Sequence, residues 1–169
     1  MYKALFTFAK LPLLVTLNND GIVSSGICSE ADAAKWARVC SLQPVPNPLE
    51  KQYLTEVDCW LEDIASGEVP RKLPTIDTSS WTDFQRDVRI ALAMTNPGVV
   101  MTYGQLGELA GHPDSARAVG SAMSSNPVPP FVPCHRVVPQ SGGLGNYSGH
   151  GGNETKQALL DYEASLFAE

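Results

Sequence analysis

Cys134 followed directly by His135 is the pair in this chain best suited to chemistry. Thiolate is a strong, soft nucleophile, but a free cysteine has a pKa near 8.5, so only about 3% is ionised at pH 7. A histidine within reach is one way to draw the proton off. Adjacency alone leaves open a buried cysteine acting as a small hydrophobe. The residues leading to Cys134 decide between the two. Asn126-Pro127-Val128-Pro129-Pro130-Phe131-Val132-Pro133 carries four prolines, which fix φ at their own positions and restrict each preceding residue. Neither a helix nor a ladder-paired strand is compatible with that run. It predicts a stiff, extended rail that delivers Cys134 to one defined place, as a positioned nucleophile requires. Glu163, on a C-terminal helical stretch, is by itself only a charge on a terminal helix.

Composition bounds what else the chain can be. Its 169 residues allow one domain or two small ones with a proper core. A hydrophobic content of 43% is that of a soluble globular protein. Leu11 to Leu17, an apolar run interrupted by Pro12, falls far short of a membrane span. No basic segment followed by an apolar core opens the chain, which predicts a cytoplasmic or nuclear protein with no membrane partner. Cys28, Cys40, Cys59 and Cys134 form no CxxC pair, so neither a metal site nor a disulfide framework is expected. The net charge is −6, and from Trp81 onward five basic residues face eight acidic ones. A phosphate-binding surface would have to rest on a few local groups.

The elements that must hold Cys134 can be read in order. Tyr2 to Ala9, Leu13 to Leu17 and Gly21 to Ile27 read as three short strands of a small antiparallel sheet, with Pro12 and Asn18-Asn19-Asp20-Gly21 at the breaks. Ser29 and Asp32 open a helix to about Cys40. Asn47-Pro48 caps a second, with Tyr53, Val57, Trp60, Leu61 and Ile64 on its inner face and Gly67 at its end. Val69 to Ser80 reads as a linker, which divides the chain into a scaffold domain, 1–78, and a second domain, 79–169. Beyond it, Phe84, Val88, Ala91 and Leu92 form one helical stripe. Thr102 and Gln105 make a capping box for a brief helix ended by Gly111, and Pro113 starts the next. Two short helices around a Gly-His-Pro turn are a helix-turn-helix signal, though an ordinary helical hairpin has the same periodicity. The second helix offers Ser115, Ala116, Ala118, Gly120, Ser121 and Ala122. Small residues suit close approach to a narrow minor groove, and equally tight helix packing. Asn153 reads as the cap of a final helix containing Glu163. The fold class is therefore α/β, of the α+β kind: a small sheet with helices, then a mainly helical half.

Pro133-Cys134-His135-Arg136-Val137, with Tyr103-Gly104-Gln105-Leu106 ahead of it, resembles the alkyl-acceptor region of the O6-alkylguanine-DNA alkyltransferases. The likeness runs from about Trp81 to Glu163, roughly half of the chain. It implies a monomer that binds double-stranded DNA containing O6-alkylguanine and takes the alkyl group onto Cys134 irreversibly, with no cofactor and no metal. His135 would be the base, working through a water and oriented by Glu163. Tyr103 would favour flipping of the nucleotide and donate a hydrogen bond to guanine. Arg117 would fill the vacated place in the stack, with Ser115, Ala116, Ala118, Gly120 and Ser124 along the DNA. Met123, Pro129, Val137, Tyr147 and Ser148 would form the substrate pocket, and Asn126 would tie the recognition helix to the rail. Ser124, Pro130-Phe131 and a longer Gly149–Thr155 loop depart from the family pattern. A Cys-His-Glu hydrolase and a lesion-binding protein without transfer are the alternatives.

Overall fold

The computed structural model describes residues 1–167. Strands β1 (Tyr2–Phe8), β2 (Leu11–Asn18) and β3 (Gly21–Ile27) form an antiparallel sheet with β2 in the centre. The β1–β2 turn lies at Ala9 and Lys10, both left-handed (φ 51° and 63°), and not at Pro12. A two-residue hairpin turn needs that conformation, and neither residue type announces it. Pro12 sits inside β2 opposite Thr7, and its carbonyl accepts from the Cys28 N–H at 3.0 Å.

Helix α1 (Glu30–Ser41) is capped by Ser29 and buries no residue. Helix α2 (Pro48–Ala65) starts in a capping box of Asn47 and Glu50 and buries Tyr53, Val57, Trp60 and Ile64. The stretch read as a linker is docked along its middle. Ile22 donates to the Thr75 carbonyl at 2.9 Å and accepts from the Asp77 N–H at 3.0 Å. The Glu56 carboxylate takes the Thr75 N–H at 2.8 Å. A chain that satisfies its backbone on a neighbouring strand is a strap, whatever its proline content.

Helix α3 (Asp83–Ala93) leads to β4 (Met101–Thr102) and α4 (Tyr103–Leu109), the last opened by the expected Thr102–Gln105 capping box. Helix α5 (Ala116–Ser124) begins three residues after Pro113, which lies in the turn. Asp114 there is left-handed (φ 58°), and Ser115 Oγ donates to the His112 carbonyl where a cap would bond the helix. The turn packs so closely on α4 that a Cβ at Gly107 would stand 2.7 Å from Ser115 Oγ and 2.9 Å from the His112 carbonyl oxygen. Strand β5 (Val137–Val138) pairs in parallel with β4, and α6 (Gly152–Ser165) closes the described chain. Asn153 does not cap α6. The helix is entered through Gly151 and Gly152 at φ 76° and 54°, so Asn153 already lies in its first turn.

Aromatic side chains join the halves into one core. Trp60 lies 5.6 Å from Phe8 and 5.0 Å, edge-on, from Phe131, while Phe8 lies 5.7 Å from Tyr162 of α6. Among the described residues no helix is long and apolar enough to cross a membrane. The architecture is the α+β arrangement expected.

Candidate active site

The proline segment is not the extended rail that its composition suggests. The Val132 N–H donates back to the Val128 carbonyl at 3.1 Å, so the segment curls before Cys134. Proline fixes φ but leaves ψ free to turn. Lacking N–H groups, the prolines can offer only carbonyls, and the outer edge of β3 uses them. Ser25 donates its N–H to Pro127 at 2.9 Å and its Oγ to Pro129 at 2.7 Å. Asn126 ties the curl internally: its side-chain oxygen takes the Val128 N–H at 3.1 Å, and its Nδ2 donates to the Val132 carbonyl at 2.8 Å and to Cys134 Sγ at 3.3 Å. Cys134 then opens a one-turn 3-10 helix with His135 and Arg136, all three buried.

Glu163 reaches this turn from α6 and is saturated. Its Oε1 lies 2.9 Å from His135 Nε2 and accepts from Arg136 Nη2 at 2.8 Å. Oε2 accepts from Arg136 Nε at 2.8 Å and the Gly98 N–H at 2.9 Å. Burial pushes the carboxyl up, but the hydrogen bonds from His135 and Arg136 outweigh it and hold the pKa at about 2. An ionised carboxylate only accepts, so the proton between them sits on His135 Nε2. Burial pushes the His135 pKa down, so the ring is neutral and Nδ1, which has no partner among the described residues, carries a free lone pair. Burial pushes the Cys134 thiol up, while Asn126, Lys156 and Arg89 draw it back. A protonated thiol beside a neutral, oriented imidazole can be activated by proton transfer.

Cys134 lines a cavity of about 460 Å³ with Tyr103, Met123, Tyr147 and Ser148. Gly120, Ser124, Pro139, Gly145 and Asn146 complete the wall. Pro129 lines a smaller space of about 170 Å³ behind Cys134, against Ser25 and Ile27 of β3. The Val137 side chain is in the core, and its carbonyl accepts from Lys156 Nζ at 2.7 Å. On α5, Val119, Ala122 and Met123 face inward, and Ala116, Arg117, Ala118, Ser121 and Ser124 are exposed beside the cavity mouth. Sequence reasoning missed Arg136, which is bidentate to Glu163, and the buried cations Arg89 and Lys156. Arg136 lies within the quoted motif; nothing in the sequence marked the other two as buried.

Residues 83–165 match the family model described as 6-O-methylguanine DNA methyltransferase, DNA binding domain. Over 66 residues, 39% of this chain, it is 56% identical to the methylated-DNA–protein-cysteine methyltransferase of Rattus norvegicus. Over 94 residues, 56% of this chain, it is 46% identical to that of Shigella flexneri. The solved structure of Mycobacterium tuberculosis OGT in complex with DNA superposes with a TM-score of 0.70 at 29% identity, over 98% of this chain and 94% of that one. Over residues 83–165 the chain is similar to the O6-alkylguanine-DNA alkyltransferases. The matched stretches span 31% of the rat relative and 53% of the Shigella one. The M. tuberculosis superposition extends the likeness to the N-terminal sheet, where the alkyltransferase family model does not reach.

Proposed function

We propose that this protein repairs O6-alkylguanine in double-stranded DNA by moving the alkyl group to Cys134, once per molecule. The observation that carries the reading is that Cys134, although buried, lines the cavity that opens beside the exposed face of α5. The relatives' names and the DNA-bound M. tuberculosis neighbour support it.

In this scheme Cys134 Sγ attacks the O6-bound carbon in line. The S–C bond forms as the C–O bond breaks, the bond pair stays with the guanine, and the thiol proton passes through a water to His135 Nδ1. Glu163 holds His135 in the tautomer that leaves Nδ1 free, and Arg136 and Gly98 hold Glu163. The Tyr103 hydroxyl donates to the guanine and eases its departure; burial pushes its pKa up and keeps the donor protonated. A thioether is a poor leaving group, so the protein is spent. The target atom lies inside the duplex, so the nucleotide must be extruded. Arg117 fills the gap, while Ser115, Ala116, Ala118, Gly120 and Ser124 let α5 lie close to a minor groove. The scheme uses no metal and no cofactor. Residues 79–169 carry the chemistry, residues 1–78 brace it, and a monomer acting in the cytoplasm or nucleus suffices.

Single-turnover and multiple-turnover assays on an O6-methylguanine duplex test this. Repair should stop at one lesion per protein, and Cys134→Ser should bind the duplex without repairing it. Continued turnover would make the protein a hydrolase and overturn the reading.

A further inference from the structure

Among the described residues three cations are buried near Cys134, and one of them is neutralised by a carboxylate. Arg136 is bidentate to Glu163. Lys156 Nζ meets the Val137 and Leu144 carbonyls, at 2.7 and 2.6 Å. Arg89, on α3, is 2% exposed and has no carboxylate partner among the described residues. Burying an unpaired charge is expensive, so its surroundings carry the explanation. Arg89 Nη2 donates to the Ala122 carbonyl at 3.1 Å and to the Ser125 carbonyl at 2.8 Å and hydroxyl at 3.1 Å. The guanidinium lies over Trp81, 4.7 Å from the ring centroid. Its Nε has no partner among the described residues.

The Arg89 contacts fall on the C-terminal end of α5, where the helix dipole favours a cation. Many helices end on a left-handed residue just past the cap; here Asn126 in that place is not left-handed, and the cap Ser125 lies at φ −100°, ψ 17°. The end of α5 is thus held by a guanidinium from α3. The next residue is Asn126, whose amide holds Cys134 Sγ. One path therefore runs from Trp81 and Arg89 through the end of α5 and Asn126 to the thiol.

We propose that Arg89 is a positioning residue for Cys134: a buried, uncompensated cation that clamps the end of α5 and favours the thiolate at the acceptor position. This rests on Cys134 being the acceptor. Carbonyl dipoles and an aromatic face solvate Arg89 without cancelling its charge, so the charge remains felt by an ionising neighbour. The electrostatic attraction from Arg89 and from Lys156 lowers the thiol pKa that burial raises. The other titratable or charged groups around Cys134 are Tyr103 on α4, Tyr147 on the pocket lip, Glu163 on α6, and His135 and Arg136 beside it in the chain. Glu163 and Arg136 cancel each other, and both tyrosines stay neutral at physiological pH because burial pushes their pKa values up. Arg89 and Lys156 are left as the net charges.

The test reads the thiol directly. Carbamidomethylation of Cys134 by iodoacetamide is followed against pH without DNA, by peptide mass, in folded wild type, Arg89→Gln and Arg89→Lys. Arg89→Gln keeps an amide donor for the helix end and loses the charge. Its pH midpoint should rise by about half to one unit, and its rate at pH 7.5 should fall roughly three- to tenfold. Arg89→Lys should restore the wild-type midpoint. An unmoved midpoint in Arg89→Gln, or equal shifts in both variants, would overturn the proposal. Ser125→Asp against Ser125→Asn repeats the test with Arg89 intact. The carboxylate should raise the midpoint by neutralising Arg89, and no difference between the two would also overturn it. Methyl transfer from an O6-methylguanine duplex to wild-type protein is run alongside. Its failure would remove the repair function while leaving the iodoacetamide result to judge Arg89.

Discussion

Replacing Glu163 by glutamine should unfold the protein more readily as well as slow it. The carboxylate is 1% exposed and accepts four hydrogen bonds, two of them from Arg136. Without its charge, Arg136 becomes an unpaired guanidinium in the interior, a defect that costs about 3–5 kcal/mol when one partner of a buried pair is removed. The titration of Glu163 gives a second route to the size of the effect. Its pKa is about 2 in the fold and about 4.3 in an unfolded chain, a difference that corresponds to about 3 kcal/mol. The two routes agree. For a chain of this length the loss should lower Tm by roughly 6–20 °C at pH 7. The folded pKa is depressed, so the stabilisation is complete above about pH 4.3 and disappears as pH falls toward the folded value. Urea titrations of wild type and Glu163→Gln from pH 7 to pH 3 should show a wide gap that narrows below about pH 4.3. A gap under about 1 kcal/mol at pH 7, within the range of an exposed pair, would refute the buried-hub account. A gap that does not change with pH would refute the assignment to the carboxylate's charge.

The same logic applies to His135, with its own pH window. Its pKa is pushed down by burial, so below about pH 6.5 the unfolded chain takes up a proton that the fold refuses, and stability declines with falling pH. His135→Gln should flatten that decline between about pH 6.5 and 5, as read by urea midpoints; an unchanged slope would mean that His135 titrates normally. Arg117→Ala should slow repair in duplex more than reaction with free O6-benzylguanine, because filling the gap of an unstacked base is worth a few kcal/mol that a free base never needs. Equal losses would make Arg117 a structural residue. DNA binding by Cys134→Ser should depend weakly on salt, with a log–log slope of about −2 to −4. From Trp81 onward, Arg89, Arg136 and Lys156 are buried and Arg86 is paired with Asp83, so Arg117 is the one exposed unpaired basic residue there among the described residues. A slope near −8 would bring the N-terminal half onto the DNA.

Much of this arrangement is legible in the sequence, and the parts that are not share a physical cause. Capping residues, helical stripes and the strands of the sheet are local patterns: Thr102–Gln105 forms the capping box its spacing predicts, and Asn47 caps the second helix. The acceptor motif places Cys134 beside His135, and the family resemblance adds Glu163 from the far end of the chain. Missed are contacts whose partners lie far apart and whose residue types look like surface charge. Arg89 meets Ser125 and Arg136 meets Glu163 only after the helices have packed. The curl of the proline segment is not legible in the sequence because φ restriction says nothing about ψ, and its register is set by the edge of β3 at Ser25. The turns at Ala9–Lys10 and Gly151–Gly152 are not legible for a related reason: left-handed turns at residues that do not demand them are imposed by what they join.

The central claim is that Cys134 accepts the alkyl group and keeps it. Incubation with a duplex carrying one O6-methylguanine, followed by intact mass and peptide mapping, tests it most directly. The protein should gain one methylene unit, confined to the peptide containing Cys134, with guanine restored in the DNA. A methyl group on Cys28, Cys40 or Cys59, or repair with no gain in mass, would contradict it.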